Sequence, residues 1–275
     1  MSFRFLQKIK HYCIGKINQS KNLVLLERSG LEGQMIAQAF LKTSKGQSTP
    51  EESNDLAFLG EYRNALADNP QVISFEEIGS ATKMSVSAVA QKAASPEIWT
   101  RFFYHLARSR KVLNILEIGT NLGVSGQYFL KALEGKKNGK LVTLEGVKGL
   151  CEIAEERFSN LSQNDRFEVI HGLYDASIKK LAVSKQGFDL VFIDGNHQYG
   201  ATLSYFNQLK ANLNHKALVI FDDIHWSRGM QQAWREICRQ QGVLYSVNFY
   251  KLGVVVFDAE NLSASPPQYR LFLAL

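Results

Sequence analysis

Carboxylates recur at one kind of place in this sequence, the C-terminal end of a short apolar run. "VLNILEI" (112–118) carries Glu117 near its end, "LVTLE" (141–145) closes on Glu145, "FDLVFI" (188–193) runs into Asp194, and "ALVIF" (217–221) runs into Asp222 and Asp223. Acids gathered at one rim repel one another, and they are costly there unless a cation, hydroxyl donors or backbone N–H groups compensate. His197 follows Asp194 closely in "FIDGNHQYG". An imidazole titrates near neutrality, so it can take a proton from a substrate without a large shift. His225 and Trp226 in "DDIHWSRG", with Tyr199, are candidates to line a substrate pocket. Their structural alternatives are a helix cap for His225, a core position for Trp226 and helix-face packing for Tyr199.

The elements that would hold these groups follow from the runs themselves. Together with "FEVI" (167–170), "VLYSV" and "GVVVF", they are continuously apolar rather than alternating, as strands buried on both faces by crossover helices are. The segments between them have helical character. The reading is an α/β fold: a doubly wound, mostly parallel seven-stranded sheet with an N-terminal helical extension, divided as 1–90 and 91–275. In such a sheet ligands bind outside the carboxyl ends of the strands, which is where the acids fall. The turn "EIGTNLGVS" puts Gly119 and Gly123 just before a helix, where backbone can approach a ligand closely. Asn121 replaces the middle glycine of the dinucleotide fingerprint, which argues against a nicotinamide dehydrogenase. Glu145, at the end of the next strand, is placed to accept ribose hydroxyls. These features describe a nucleoside site without a conspicuous phosphate site.

In the first third, Thr49, Pro50 and Glu52 form a helix start, and Ser95 with Pro96 reads as another. "KTSKGQSTPEES" reads as a polar linker and "FEEIGSATKMS" as a loop. The chain has 275 residues, 45% hydrophobic and 21% charged, enough to bury a sizeable core. Much of the formal +6 comes from Arg4, Lys8, Lys10, Lys16 and Lys21, so the body is nearly neutral and lacks the broad basic footprint of a nucleic-acid binder. Phe5, Leu6, Ile9, Tyr12, Cys13 and Ile17 recur at roughly helical spacing between those cations, which suits a helix packed on its own domain or on a second subunit better than a membrane-surface helix. No stretch is long and apolar enough for a transmembrane segment. Three widely spaced cysteines without metal or redox pairing imply a reducing, cytoplasmic setting.

The series "LEIGTNLGVSG", "LVTLEG", "VIHGLYDA", "DLVFIDGNHQY" and "LVIFDDIHWSRGM" resembles class I S-adenosylmethionine-dependent methyltransferases, in particular the catechol O-methyltransferase-like branch, over roughly residues 75–258. "FIDGNHxY" and "FDDIHWSRGMxxAW" are similar to a bacterial group of such enzymes. The resemblance implies that Glu117, Gly119, Thr120, Asn121 and Ser125 surround the methionine part of S-adenosylmethionine. It implies that Glu145 holds the ribose, and that Gly146, Leu173 and Asp175 border the adenine. It also places a divalent cation at Asp194, Asp222 and Asp223, with Mg²⁺ favoured by an all-oxygen donor set. A substrate oxygen would attack the sulfonium methyl while His197 removes its proton. The chain departs from the metal-dependent pattern twice, with Asp222-Asp223 in place of Asp-Asn and His197 in place of Lys. The implied function is O-methylation of a small-molecule hydroxyl. Metal-independent N- or O-methylation and a non-catalytic S-adenosylmethionine-binding protein remain as alternatives, and the helical first third is left open as a lid or a homodimer surface.

Overall fold

The computed structural model describes residues 16–263 and 265–274. Most of the expected N-terminal amphipathic segment, Cys13 included, lies outside the described residues. Helix α1 is described over 16–27, followed by α2 (Leu31–Lys45) and α3 (Pro50–Ala67). A small antiparallel pair comes next, β1 (Val72–Ser74) and β2 (Lys83–Ser85), and then α4 (Val86–Ala93) and α5 (Glu97–Ala107). Strands and helices alternate from there: β3 (Asn114–Ile118), α6 (Gly126–Ala132), β4 (Lys140–Glu145), α7 (Lys148–Ser159), β5 (Phe167–His171), α8 (Tyr174–Val183), β6 (Phe188–Ile193), α9 (Tyr199–Leu209), β7 (Leu213–Phe221) and α10 (Arg228–Ile237). The chain closes with β8 (Val243–Asn248), β9 (Gly253–Phe257) and β10 (Gln268–Arg270).

Among the described residues the main sheet has eight strands in the order β10-β8-β9-β7-β6-β3-β4-β5, one more than the seven expected. The extra strand, β10, is three residues long and pairs parallel with β8. The sheet is parallel from β5 to β7, and β9 runs antiparallel against both β7 and β8. Side-chain alternation sorts each central strand onto two cores. Ile115, Leu190, Phe192, Leu218 and Ile220 face one. Leu116, Ile118, Val191, Ile193, Val219 and Phe221 face the other. Both faces are therefore apolar, and each strand reads as a continuous run.

The N-terminal helices share the first of these cores. Phe40 of α2 stacks on Phe249 at 6.2 Å, and Trp99 and Phe102 of α5 meet the same ring edge-on at 6.0 and 5.2 Å. The second core is closed by α8, α9 and α10, with Phe206, Trp234 and Ile237 buried against the strands.

Thr49 caps α3 in a full capping box with Glu52, as its sequence predicts. The polar stretch before it is a tight helix–helix turn rather than a linker: Gly46 takes a left-handed φ of 62° at the end of α2, and Lys42 pairs with Glu52 across the turn at 2.6 Å. Ser95 does not cap α5; Pro96 holds that position with no side-chain cap bond, and the Ser95 carbonyl accepts from Arg63 instead.

Candidate active site

The C-terminal rim is built around close approach of two strand ends. The Asp194 N–H donates to the Ile118 carbonyl at 2.9 Å, drawing the end of β6 onto the end of β3. A Cβ at Gly119 would lie 2.4 Å from the Asp194 carbonyl oxygen, and Gly119 has φ +104°. Only glycine suits both demands. The following turn is held by Glu145: one carboxylate oxygen accepts the Asn121 N–H at 2.8 Å, and the other accepts the N–H groups of Gly146 at 2.8 Å and Val147 at 3.0 Å. A carboxylate offers about four acceptor directions, so one remains on the oxygen that binds Asn121. Burial raises the Glu145 pKa, and the three N–H groups work against that rise.

Glu117 is wholly buried at the end of β3. Ser125 Oγ and Thr143 Oγ1 both donate to its carboxylate, and Thr120 is hydrogen-bonded to Thr143 at 2.6 Å. Thr120 and Ser125 are buried with it. Burial pushes the Glu117 pKa up to about 7 from 4.5. Its folded pKa is raised, so its contribution to stability is fully present below about pH 4.5 and is lost as the pH rises through about 7. A shift of this size corresponds to about 3 kcal/mol. Urea unfolding across pH 4.5 to 8 should show that decline in the wild type and a flatter profile in Glu117→Gln; parallel profiles would discard this account.

The acids at the ends of β6 and β7 form a second cluster. Asp194, His197 and Asp222 each present one donor atom, and these atoms lie within 4.8 Å of one another. His197 Nε2 is 3.5 Å from Asp194 Oδ1. Burial and the neighbouring Asp222 push the Asp194 pKa well above its ordinary value. Asp223, expected in the same donor set, instead accepts from Lys251 Nζ at 2.8 Å, with its own backbone left-handed at φ 50°. The same ammonium bonds both oxygens of Asp222, at 2.8 and 2.9 Å.

Lys251 went unnoticed in the sequence because it belongs to no acid or glycine motif. The pairing of β7 with β9 sets Phe221 opposite Gly253, so the residues after Phe221 meet those before Gly253. The two turns are knit further: the Ile224 N–H donates to the Lys251 carbonyl at 3.1 Å, and His225 Nδ1 donates to the Tyr250 carbonyl at 2.8 Å while its ring stacks on Tyr250 at 4.6 Å. Burial holds the His225 pKa below its usual value, against the bond to the Tyr250 carbonyl. His225 therefore serves a structural contact rather than capping α10, whose cap is Ser227.

The remaining candidates divide. Trp226 is exposed, not a core residue. Tyr199 donates its hydroxyl to Glu236 of α10 at 2.7 Å, which ties α9 to α10. Gly146 is buried beneath Ile78, to whose Cγ2 an added Cβ would come within 2.7 Å, so the segment expected as a loop lies over the end of β4. Glu77 in that segment accepts the Lys148 N–H at 2.7 Å. Leu173 and Asp175, at the start of α8, are exposed.

The arrangement is a Rossmann-like fold with a glycine turn braced by the Glu145 carboxylate and an acid cluster at the C-terminal ends of the strands. A family model described as a methyltransferase domain matches residues 116–224, the span that contains these acids. Among curated proteins, the uncharacterized protein R132 of Acanthamoeba polyphaga mimivirus is 30% identical over 138 residues, which cover 46% of this chain and 59% of that protein, so the match spans less than two-thirds of the relative. The structure is similar to the O-methyltransferase from Bacillus cereus solved with SAH (TM-score 0.55, 21% identity, 80% of this chain and 96% of that one). It is also similar to a SAH-bound methyltransferase from Podospora anserina (TM-score 0.53, 17% identity, 77% and 97%). The fold is that of the Rossmann-like methyltransferases.

Proposed function

We propose that this chain is a class I S-adenosylmethionine-dependent methyltransferase of the catechol O-methyltransferase-like branch that methylates a hydroxyl of a small molecule, assisted by a divalent cation. The observation that carries the reading is the placement on one rim of Glu145, braced by three N–H groups, and of the Asp194–His197–Asp222 cluster. When bound, S-adenosylmethionine supplies a sulfonium methyl that an acceptor oxygen attacks as the carbon–sulfur bond breaks. Glu145 has an open acceptor direction for the ribose. Gly119 and Asn121 shape the backbone against which the methionine part would lie, with Glu117 and Ser125 holding that turn from below. Gly146, Leu173 and Asp175 stand where the adenine edge would fall.

The two carboxylates of the cluster, Asp194 and Asp222, suit a hard cation, and the His197 imidazole comes within 4.8 Å of their oxygens. Asp194 and Asp222 would hold the ion, Mg²⁺ most simply, with Asp223 adding charge from behind Lys251. Such an ion would lower the pKa of the acceptor hydroxyl. His197 would take the released proton, and the imidazolium so formed would be stabilised by the Asp194 carboxylate, whose Oδ1 lies 3.5 Å from Nε2. A nitrogen that binds metal cannot also accept that proton, so the two roles of His197 separate by experiment. His197→Ala should reduce turnover by about 100-fold or more, while SAH and Mn²⁺ affinities hold. Loss of Mn²⁺ affinity would make His197 a ligand rather than the base.

A second reading, transfer without a metal, is favoured by the Lys251 ammonium already seated on Asp222 and Asp223. Release of S-adenosylhomocysteine (SAH) against a panel of phenols and catechols distinguishes the two. Under the first reading EDTA abolishes release and Mg²⁺ restores it; under the second, neither has an effect. No helix among the described residues is long and apolar enough to cross a membrane.

A further inference from the structure

We infer that Lys251 is a built-in cation that occupies the acid rim and that a divalent ion gains full access only by displacing it. The inference rests on the metal-assisted reading above and adds a control element to it. Three observations support it independently of the acids themselves. The Lys251 ammonium makes three short bonds, two to Asp222 and one to Asp223, so it uses all three of its donors on the carboxylates that follow β7. It comes from a different element, the turn between β8 and β9, which is clamped to the β7 loop through the Ile224 N–H and through His225 on Tyr250. It is also poorly exposed, with a side chain 21% accessible, so the pair is not a loosely solvated surface bridge.

Charge explains why the arrangement acts as a switch. Without a compensating cation, Asp194, Asp222 and Asp223 would confront one another in a half-buried space, and Lys251 relieves the two that follow β7. Asp194 keeps the His197 side of the cluster, 3.5 Å from Nε2. A divalent ion seated between Asp194 and Asp222 would stand within a few ångströms of the ammonium, and two positive charges at that distance repel strongly in a partly desolvated site. Ion binding and the Lys251–Asp222 bonds are therefore competitive. The side chain is long and unbranched, so it can swing toward solvent and keep Asp223 as its partner. The wild-type protein should then hold its metal weakly and remain folded without it.

The test measures Mn²⁺ binding by electron paramagnetic resonance for the wild type, Lys251→Met and Lys251→Arg, with no acceptor present. Lys251→Met should bind Mn²⁺ at least about tenfold more tightly than the wild type, and Lys251→Arg should not. Lys251→Met should also show the larger rise in melting temperature on adding Mn²⁺, because the ion replaces the missing positive charge. On the wild-type protein itself, Mn²⁺ should accelerate labelling of Lys251 by an amine-reactive reagent, read by peptide mass spectrometry, which keeps the inference testable if Lys251→Met does not fold. Equal Mn²⁺ affinity in the wild type and Lys251→Met, or labelling unchanged at saturating Mn²⁺, overturns the inference and leaves the metal reading standing. No Mn²⁺ binding by any of the three proteins overturns both.

Discussion

Replacing Glu145 with alanine should lower SAH affinity by about 100-fold or more, measured by isothermal titration calorimetry. Two losses combine in this expectation. The carboxylate that would accept a ribose hydroxyl disappears, and a hydrogen bond to a charged group is worth roughly 1.5–3 kcal/mol. The N–H groups of Asn121, Gly146 and Val147 also lose their common acceptor, so the turn that must approach the cofactor is no longer fixed. Glu145→Gln keeps one carbonyl oxygen and the side-chain size, and should lose only about tenfold. An affinity within threefold of the wild type for Glu145→Ala would remove the ribose from this side of the rim. That outcome would take the nucleoside reading with it.

The second large effect is expected at Asp194, where function and stability should move in opposite directions. Asp194→Asn keeps the shape of the strand end and the backbone bond to Ile118 but removes the charge. Turnover should fall by about 1,000-fold, since both the partner of His197 and a cation-holding carboxylate are lost. SAH affinity should stay within a few-fold, because no cofactor-side bond involves this side chain. Burial and the neighbouring Asp222 disfavour the charged form of the wild-type carboxyl and raise its pKa, so the neutral variant should be the more stable at pH 8. Thermal unfolding together with SAH release reads both halves. A variant that is less stable than the wild type at pH 8 would show that the acid cluster is already fully compensated.

The sheet was legible because of how it is buried. Parallel strands covered on both faces leave continuous apolar runs, and the sequence marks β3, β4, β6 and β7 to within a few residues for that reason. The acids at their ends stood out because a carboxylate directly after an apolar strand has little packing rationale. Glu117 shows the limit of the argument: its position at a strand end was plain, but whether it faced the rim or lay beneath it depended on Ser125, Thr143 and Gly126 closing around it. Tyr199 fits either a pocket or a helix seam by type, and its bond to Glu236, distant in sequence, is not legible from spacing alone. The β1–β2 pair and β10 were missed because three residues are too few to display a period. Lys251 was missed because a lysine in a turn is ordinarily solvated, and only the antiparallel register of β9 brings it to the acids.

That register also means that sequence similarity and electrostatic completeness have different borders. The methyltransferase match ends at residue 224, just past the last rim acid, whereas the charge that balances Asp222 and Asp223 arrives from residue 251. Divergence in the C-terminal hairpin, where a family profile is silent, can therefore reset the net charge of the site without altering any motif residue. Two chains with identical acids could differ in their appetite for metal through one turn position alone.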